Sequence, residues 1–95
     1  MDRYDWIIGI CNTGADGVVI LRFRGSINEM KEKLLSFIKE DRENDNECWD
    51  YGCEEIDDIW AVDNGLGYEL YGYASYLDYH IDYTAKEFSH IDFIK

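Results

Sequence analysis

The sequence predicts a small α+β domain: an antiparallel sheet of about four strands with one principal helix packed on a face. Three observations carry this. Two segments near the N-terminus and two near the C-terminus alternate apolar and polar residues with the period of a strand. Between them runs one amphipathic stretch with helical spacing. Apolar residues make up 46% of the 95-residue chain and aromatics 16%, enough for one hydrophobic core and no second one. The whole of 1–95 is therefore expected to be one domain.

Tyr4, Trp6, Ile8 and Ile10 alternate with Asp5, Ile7, Gly9 and Cys11, and the turn residues Asn12 to Gly17 follow. In the next segment Val19, Leu21 and Phe23 share one face, while Val18, Ile20, Arg22 and Arg24 share the other. The two read as an N-terminal β-hairpin. Ser26-Ile27-Asn28-Glu29 is a capping-box sequence, in which the Ser hydroxyl and the Glu carboxylate each satisfy a free backbone N–H. Behind it Ile27, Met30, Leu34, Leu35 and Ile38 form one stripe of a helix running to about residue 41.

Glu43 to Gly52 reads as an acidic loop. Residues 54–62 fit a short second helix with Ile56, Ile59 and Trp60 on its buried side, stopped at Asn64-Gly65; a strand through Ile56, Trp60 and Val62 competes. Tyr68 to Tyr76 reads as a strand with Tyr71 and Tyr73 opposite Leu70, Gly72 and Ala74. Tyr79, Ile81 and Tyr83 alternate with His80 and Asp82 in the next. Thr84-Ala85-Lys86-Glu87 is a second capping-box sequence that predicts a terminal helix through Phe88 and Ile91, against a final strand over 90–94.

Charge is distributed unevenly. Residues 1–40 hold six acids and six bases, whereas residues 41–95 hold fifteen acids and three bases, the entire net charge of −12. No lysine or arginine occurs from Glu43 to Ala85, and eleven of the fifteen aromatics lie in the acidic part. Such a surface repels nucleic acid and anionic membrane and attracts basic surfaces. The first residues, MDRYDWIIGICN, do not read as a signal peptide, and no apolar run approaches a membrane span. The expectation is a cytoplasmic protein with its three cysteines reduced.

Motifs for chemistry are weak. Asp78, His80 and Asp82 share a strand face, an arrangement in which a carboxylate orients a general base, but no nucleophile or oxyanion arrangement accompanies them. Cys48, Cys53, His80 and His90 lack the His spacing of structural zinc. The run from Asp41 has Asn46 where a calcium loop needs glycine and Gly52 where it needs glutamate. Gly14 to Gly17 and Asn64 to Gly67 lack the P-loop and dinucleotide patterns. No enzyme and no cofactor is expected.

The remaining signal is a binding surface. Asp41, Glu43, Asp45, Glu47, Asp50, Glu54, Glu55, Asp57 and Asp58 are the candidate acids, with Trp49 and Tyr51 as aromatic anchors. The expected partner is a basic protein surface, such as the nucleic-acid groove of an enzyme. Small acidic proteins of phages and mobile elements that inhibit CRISPR or restriction nucleases share this general character, though no motif here identifies such a family. The alternatives are a self-associating domain whose Arg22 and Arg24 dock on a neighbour's acids head to tail, and a small enzyme centred on His80.

Self-repulsion within residues 41–95 predicts that moderate NaCl raises the melting temperature, because screening acts on clustered like charges. Millimolar Ca²⁺ should add little beyond its ionic-strength effect. A saturable Ca²⁺ stabilisation in a thermal melt would contradict the rejection of a calcium loop.

Overall fold

A computed structural model describes residues 3–14, 17–44, 48–50, 55–61, 68–76 and 79–91. The N-terminal hairpin is present as β1 (Tyr4–Asn12) and β2 (Val18–Gly25), paired with Ile8 opposite Leu21 and Trp6 opposite Phe23. Gly17 enters β2 at φ +88°, the left-handed region that a side chain disfavours, so glycine suits the end of this turn.

Helix α1 (Ile27–Asn44) comes directly after β2. Its N-terminus is the expected reciprocal cap: the Glu29 N–H donates to Ser26 Oγ at 3.2 Å and the Ser26 N–H donates to Glu29 Oε1 at 2.9 Å. These bonds hold the Glu29 carboxyl below the usual range, the Ser26 backbone N–H contributing most. The corner is further fixed by Trp6, whose buried Nε1 donates to the Gly25 carbonyl at 3.0 Å. A Cβ at Gly25 would stand 2.7 Å from the Phe23 ring, so glycine lets the helix start close to the sheet.

The C-terminal half completes the sheet with β3 (Cys48–Asp50), β4 (Trp60–Ala61), β5 (Glu69–Tyr76) and β6 (His80–Glu87). All pairings are antiparallel, and the order across the sheet is β2-β1-β6-β5-β3, with β4 also pairing β5. The first and last long strands are thus joined in the middle of the sheet, β6 lying between β1 and β5. Both β5 and β6 alternate half-buried and buried residues along their whole length. Leu70, Ala74 and Tyr76 of β5 and Ile81, Tyr83 and Ala85 of β6 point into the core with Trp6 and Ile8. Met30, Leu34, Leu35 and Ile38 cover them from α1, the stripe that the spacing predicted.

Four expectations are corrected. The sheet has six strand segments rather than about four. The helix runs on to Asn44, and the predicted acidic loop contains β3. The short second helix is a 3₁₀ turn (Ile56–Asp58) followed by β4, so Ile59 is buried while Trp60 is exposed on the other side of the sheet. Alternation, not helical spacing, governs those two residues. Thr84 to Glu87 lies inside β6, where Lys86 is flanked by Ile7 and Glu69, and ladders on both sides override the local capping sequence. Glu87 caps the next turn instead: its carboxylate accepts from the Ser89 N–H at 3.1 Å and opens a single 3₁₀ turn (Phe88–His90). Asn64-Gly65 and most of the expected strand over 90–94 lie outside the described residues.

Ser26→Ala should cost about 1 kcal/mol. Leu34, completely buried, should cost roughly 2–5 kcal/mol on replacement by alanine. Chemical denaturation reads both, and a neutral Leu34→Ala would mean that the helix packs through a different face.

Candidate functional site

Since α1 covers one face of the sheet, the side chains of alternate parity form the other. Pairing registers lay them out in rows. Arg22, Ile7, Lys86 and Glu69 form one row; Ile20, Gly9, Thr84, Tyr71 and Trp60 the next; Val18, Cys11, Asp82 and Tyr73 the third. His80 and Ser75 begin a fourth. The helix-free face therefore grades from aliphatic and basic at β2 to aromatic and polar at β5.

The aromatic end is a packed ladder. The Trp60 ring lies 4.9 Å from that of Tyr71 and 6.1 Å from that of Tyr73. Tyr71 and Tyr73 stack at 6.4 Å, and Tyr73 stacks on His80 at 5.6 Å. Of this group Trp60 is the exposed member, with 44% of its surface open. The tyrosines divide as their parity dictates: Tyr76 and Tyr83 are buried, Tyr71 and Tyr73 half-buried on the helix-free face.

Beneath the ladder runs a polar chain. His80 Nδ1 is 3.0 Å from Ser75 Oγ, His80 Nε2 is 2.7 Å from Asp82 Oδ1, and the Tyr71 hydroxyl donates to the same Asp82 oxygen. The order serine, imidazole, carboxylate matches that of a nucleophilic relay. What acyl transfer further requires is a pair of free donors for the oxyanion. Among the described residues, Ser75 is paired with His80 on one side and with Asp50 of β3 on the other, so its strand lies between two ladders. The two grooves described in the molecule lie elsewhere, one along Tyr4, Ile27 and Glu32 and one along Val19, Leu21 and Phe37. The chain of hydrogen bonds fixes Tyr71 and His80 in the ladder. Among the described residues, no group of three or more His, Cys, Asp or Glu is placed to hold a metal ion.

The acids predicted to bind are partly brought together. Asp41 is half-buried and accepts a hydrogen bond from the Tyr83 hydroxyl, which ties it to the core. Glu43 is exposed in the last turn of α1. Glu55, Asp57 and Asp58 are exposed around the 3₁₀ turn that leads into Trp60, and Asp58 Oδ2 accepts from the Glu55 N–H at 2.9 Å. Asp50 and Trp49 belong to β3 at the same edge of the sheet. Asp45, Glu47, Tyr51 and Glu54 lie outside the described residues.

Sequence reasoning missed Trp60, because a helical period aligned it with Ile56 and Ile59. The signal available was the competing strand reading, in which neighbours face opposite ways. It also missed the Ser75 and Tyr71 partnerships, which depend on the β5–β6 register. The chain matches no family model, no curated protein and no solved structure.

Proposed function

We propose that this chain is a non-catalytic binding domain that docks its acidic half on a basic protein surface, with Trp60 as the contact anchor. One observation carries the reading: an exposed tryptophan, seated on Tyr71 and Tyr73, comes directly after the exposed Glu55, Asp57 and Asp58. Carboxylates attract a basic surface at long range and speed encounter. A large ring held by its neighbours loses little entropy on contact and can be desolvated at the interface centre, where residence time is set.

The partner class with the right complementarity is the nucleic-acid groove of an enzyme, and the activity is inhibition by mimicry, of the anti-restriction or anti-CRISPR type. Duplex DNA carries roughly 22 phosphate charges over a length equal to the 37 Å long axis of this domain. Fifteen acids in residues 41–95 supply charge of the same order. The chain itself is not expected to bind nucleic acid, since the net charge of −12 repels phosphate.

The test begins with a low-salt pull-down from lysate eluted with salt, followed by competition against labelled DNA or RNA for the protein returned. Glu55→Gln, Asp57→Asn and Asp58→Asn together keep hydrogen-bonding groups in place and should slow association and flatten its salt dependence. Trp60→Ala should instead speed dissociation by about tenfold or more. Simultaneous binding of nucleic acid and this protein, without loss of affinity, would end the mimic reading. Unchanged rates for Trp60→Ala would remove the anchor.

A further inference from the structure

The two edges of the sheet are finished differently. On the β5 side, two very short strands of three and two residues, β3 and β4, pair with the outer edge. Short edge strands are one of the devices by which monomeric sheets avoid pairing with other chains. On the opposite side lies β2, eight residues long, and among the described residues its only partner strand is β1. Its first four residues, Val18-Val19-Ile20-Leu21, are uncharged and β-prone. They are 56%, 51%, 70% and 38% exposed. Neither proline nor charge guards this stretch.

We propose that two copies of the chain pair antiparallel along β2, related by a two-fold axis at Ile20, so that the sheet runs continuously through the dimer. The occupant is set by charge. Residues 1–40, which contain β2, are net neutral, and the other 55 residues hold the net −12. Two such molecules repel least when they meet through the neutral edge with their acidic edges outermost. Pairing at β2 does this. A head-to-tail contact on the acids would leave one apolar β2 edge open at the end of every chain of copies.

The register is set by the side chains. An axis normal to the sheet keeps each residue on its own face, so residues of like parity come opposite one another. Centring on Arg22 would set two guanidinium groups directly opposite, which is destabilising. Centring on Ile20 sets Ile20 against Ile20, Val19 against Leu21 and Val18 against Arg22. The two Arg22 side chains then stand roughly 14 Å apart along the strands, beyond the screening length of about 8 Å at physiological salt. Arg24 is already neutralised by Asp5, at 2.8 Å.

On the helix side, Val19 and Leu21 line a groove of about 560 Å³ with Ile10 and Ile81 of the sheet and Phe37, Glu40 and Asp41 of α1. In the Ile20 register the partner's Leu21 and Val19 lie across the mouths of both grooves. The inference rests on the β2 edge and is independent of the acidic-surface reading.

Sedimentation equilibrium of the full chain over a concentration series tests it. The wild type should approach twice the chain mass of 11.2 kDa, with association strengthened by added NaCl. Ile20→Lys puts two like charges opposite each other at the axis and should weaken association by roughly 100-fold. The side chain is largely exposed, so circular dichroism should be unchanged. Trp60→Ala, at the far edge, should leave the dimer intact. In mixed labelled and unlabelled protein, isotope-filtered NMR should detect contacts from Ile20 to Ile20. A wild type that stays monomeric throughout, a dimer indifferent to Ile20→Lys, or a mass that grows without limit would each overturn the proposal.

Discussion

The position of β6 between β1 and β5 is the constraint on which the rest depends. It joins the first strand to the last in the middle of the sheet, and its unbroken alternation separates two environments. Ile81, Tyr83 and Ala85 go under α1, while His80, Asp82, Thr84 and Lys86 go to the open face. Tyr83 carries the arrangement into the helix, its hydroxyl donating to Asp41. A one-residue slip of β6 would exchange the two sets. It would bury a histidine, an aspartate and a lysine and expose three core residues, so register here is strongly specified.

That separation leaves the serine–histidine–aspartate chain on the sheet face away from α1. Ser75, His80 and Asp82 are half-buried there, and their strands β5 and β6 carry partner strands on both sides. The same hydrogen bonds hold Tyr71 and His80, with Tyr73 stacked against both rings, and the exposed Trp60 packs on Tyr71 and Tyr73. The open face, the acidic turn and the short strands at one edge form one surface; the neutral β2 edge forms another.

Much of the fold is legible in the residues. The hairpin, the Ser26 cap, the stripe of α1 and the alternation of β5 and β6 each rest on a periodic or local signal long enough to be unambiguous. The short elements are not legible, for a physical reason. Three residues of β3 and two of β4 are too few to establish a period, and they are held by β5 rather than by their own propensity. Ile56, Ile59 and Trp60 fit a helical pattern about as well as Ile56, Trp60 and Val62 fit an extended one, and only β5 pairing decides. The Thr84–Glu87 capping sequence is a local preference defeated by two ladders. Charge asymmetry was legible and its geometric consequence was not: the residues show where along the chain the acids lie, and strand order decides that β2 and the acidic turn occupy opposite edges.

The central claim is that this strand order converts a charge gradient along the chain into a charge gradient across the molecule. Its most direct measurement needs no partner. Paired cationic and anionic nitroxide cosolutes, compared through their relaxation of backbone amide and indole protons, report the potential at each residue. The account predicts strong preference for the cationic probe at Glu55 to Ala61 and at the Trp60 indole. Near Arg22 and Arg24 on β2 the two probes should act about equally. Equal ratios at both edges, or a negative potential centred on β2, would contradict it.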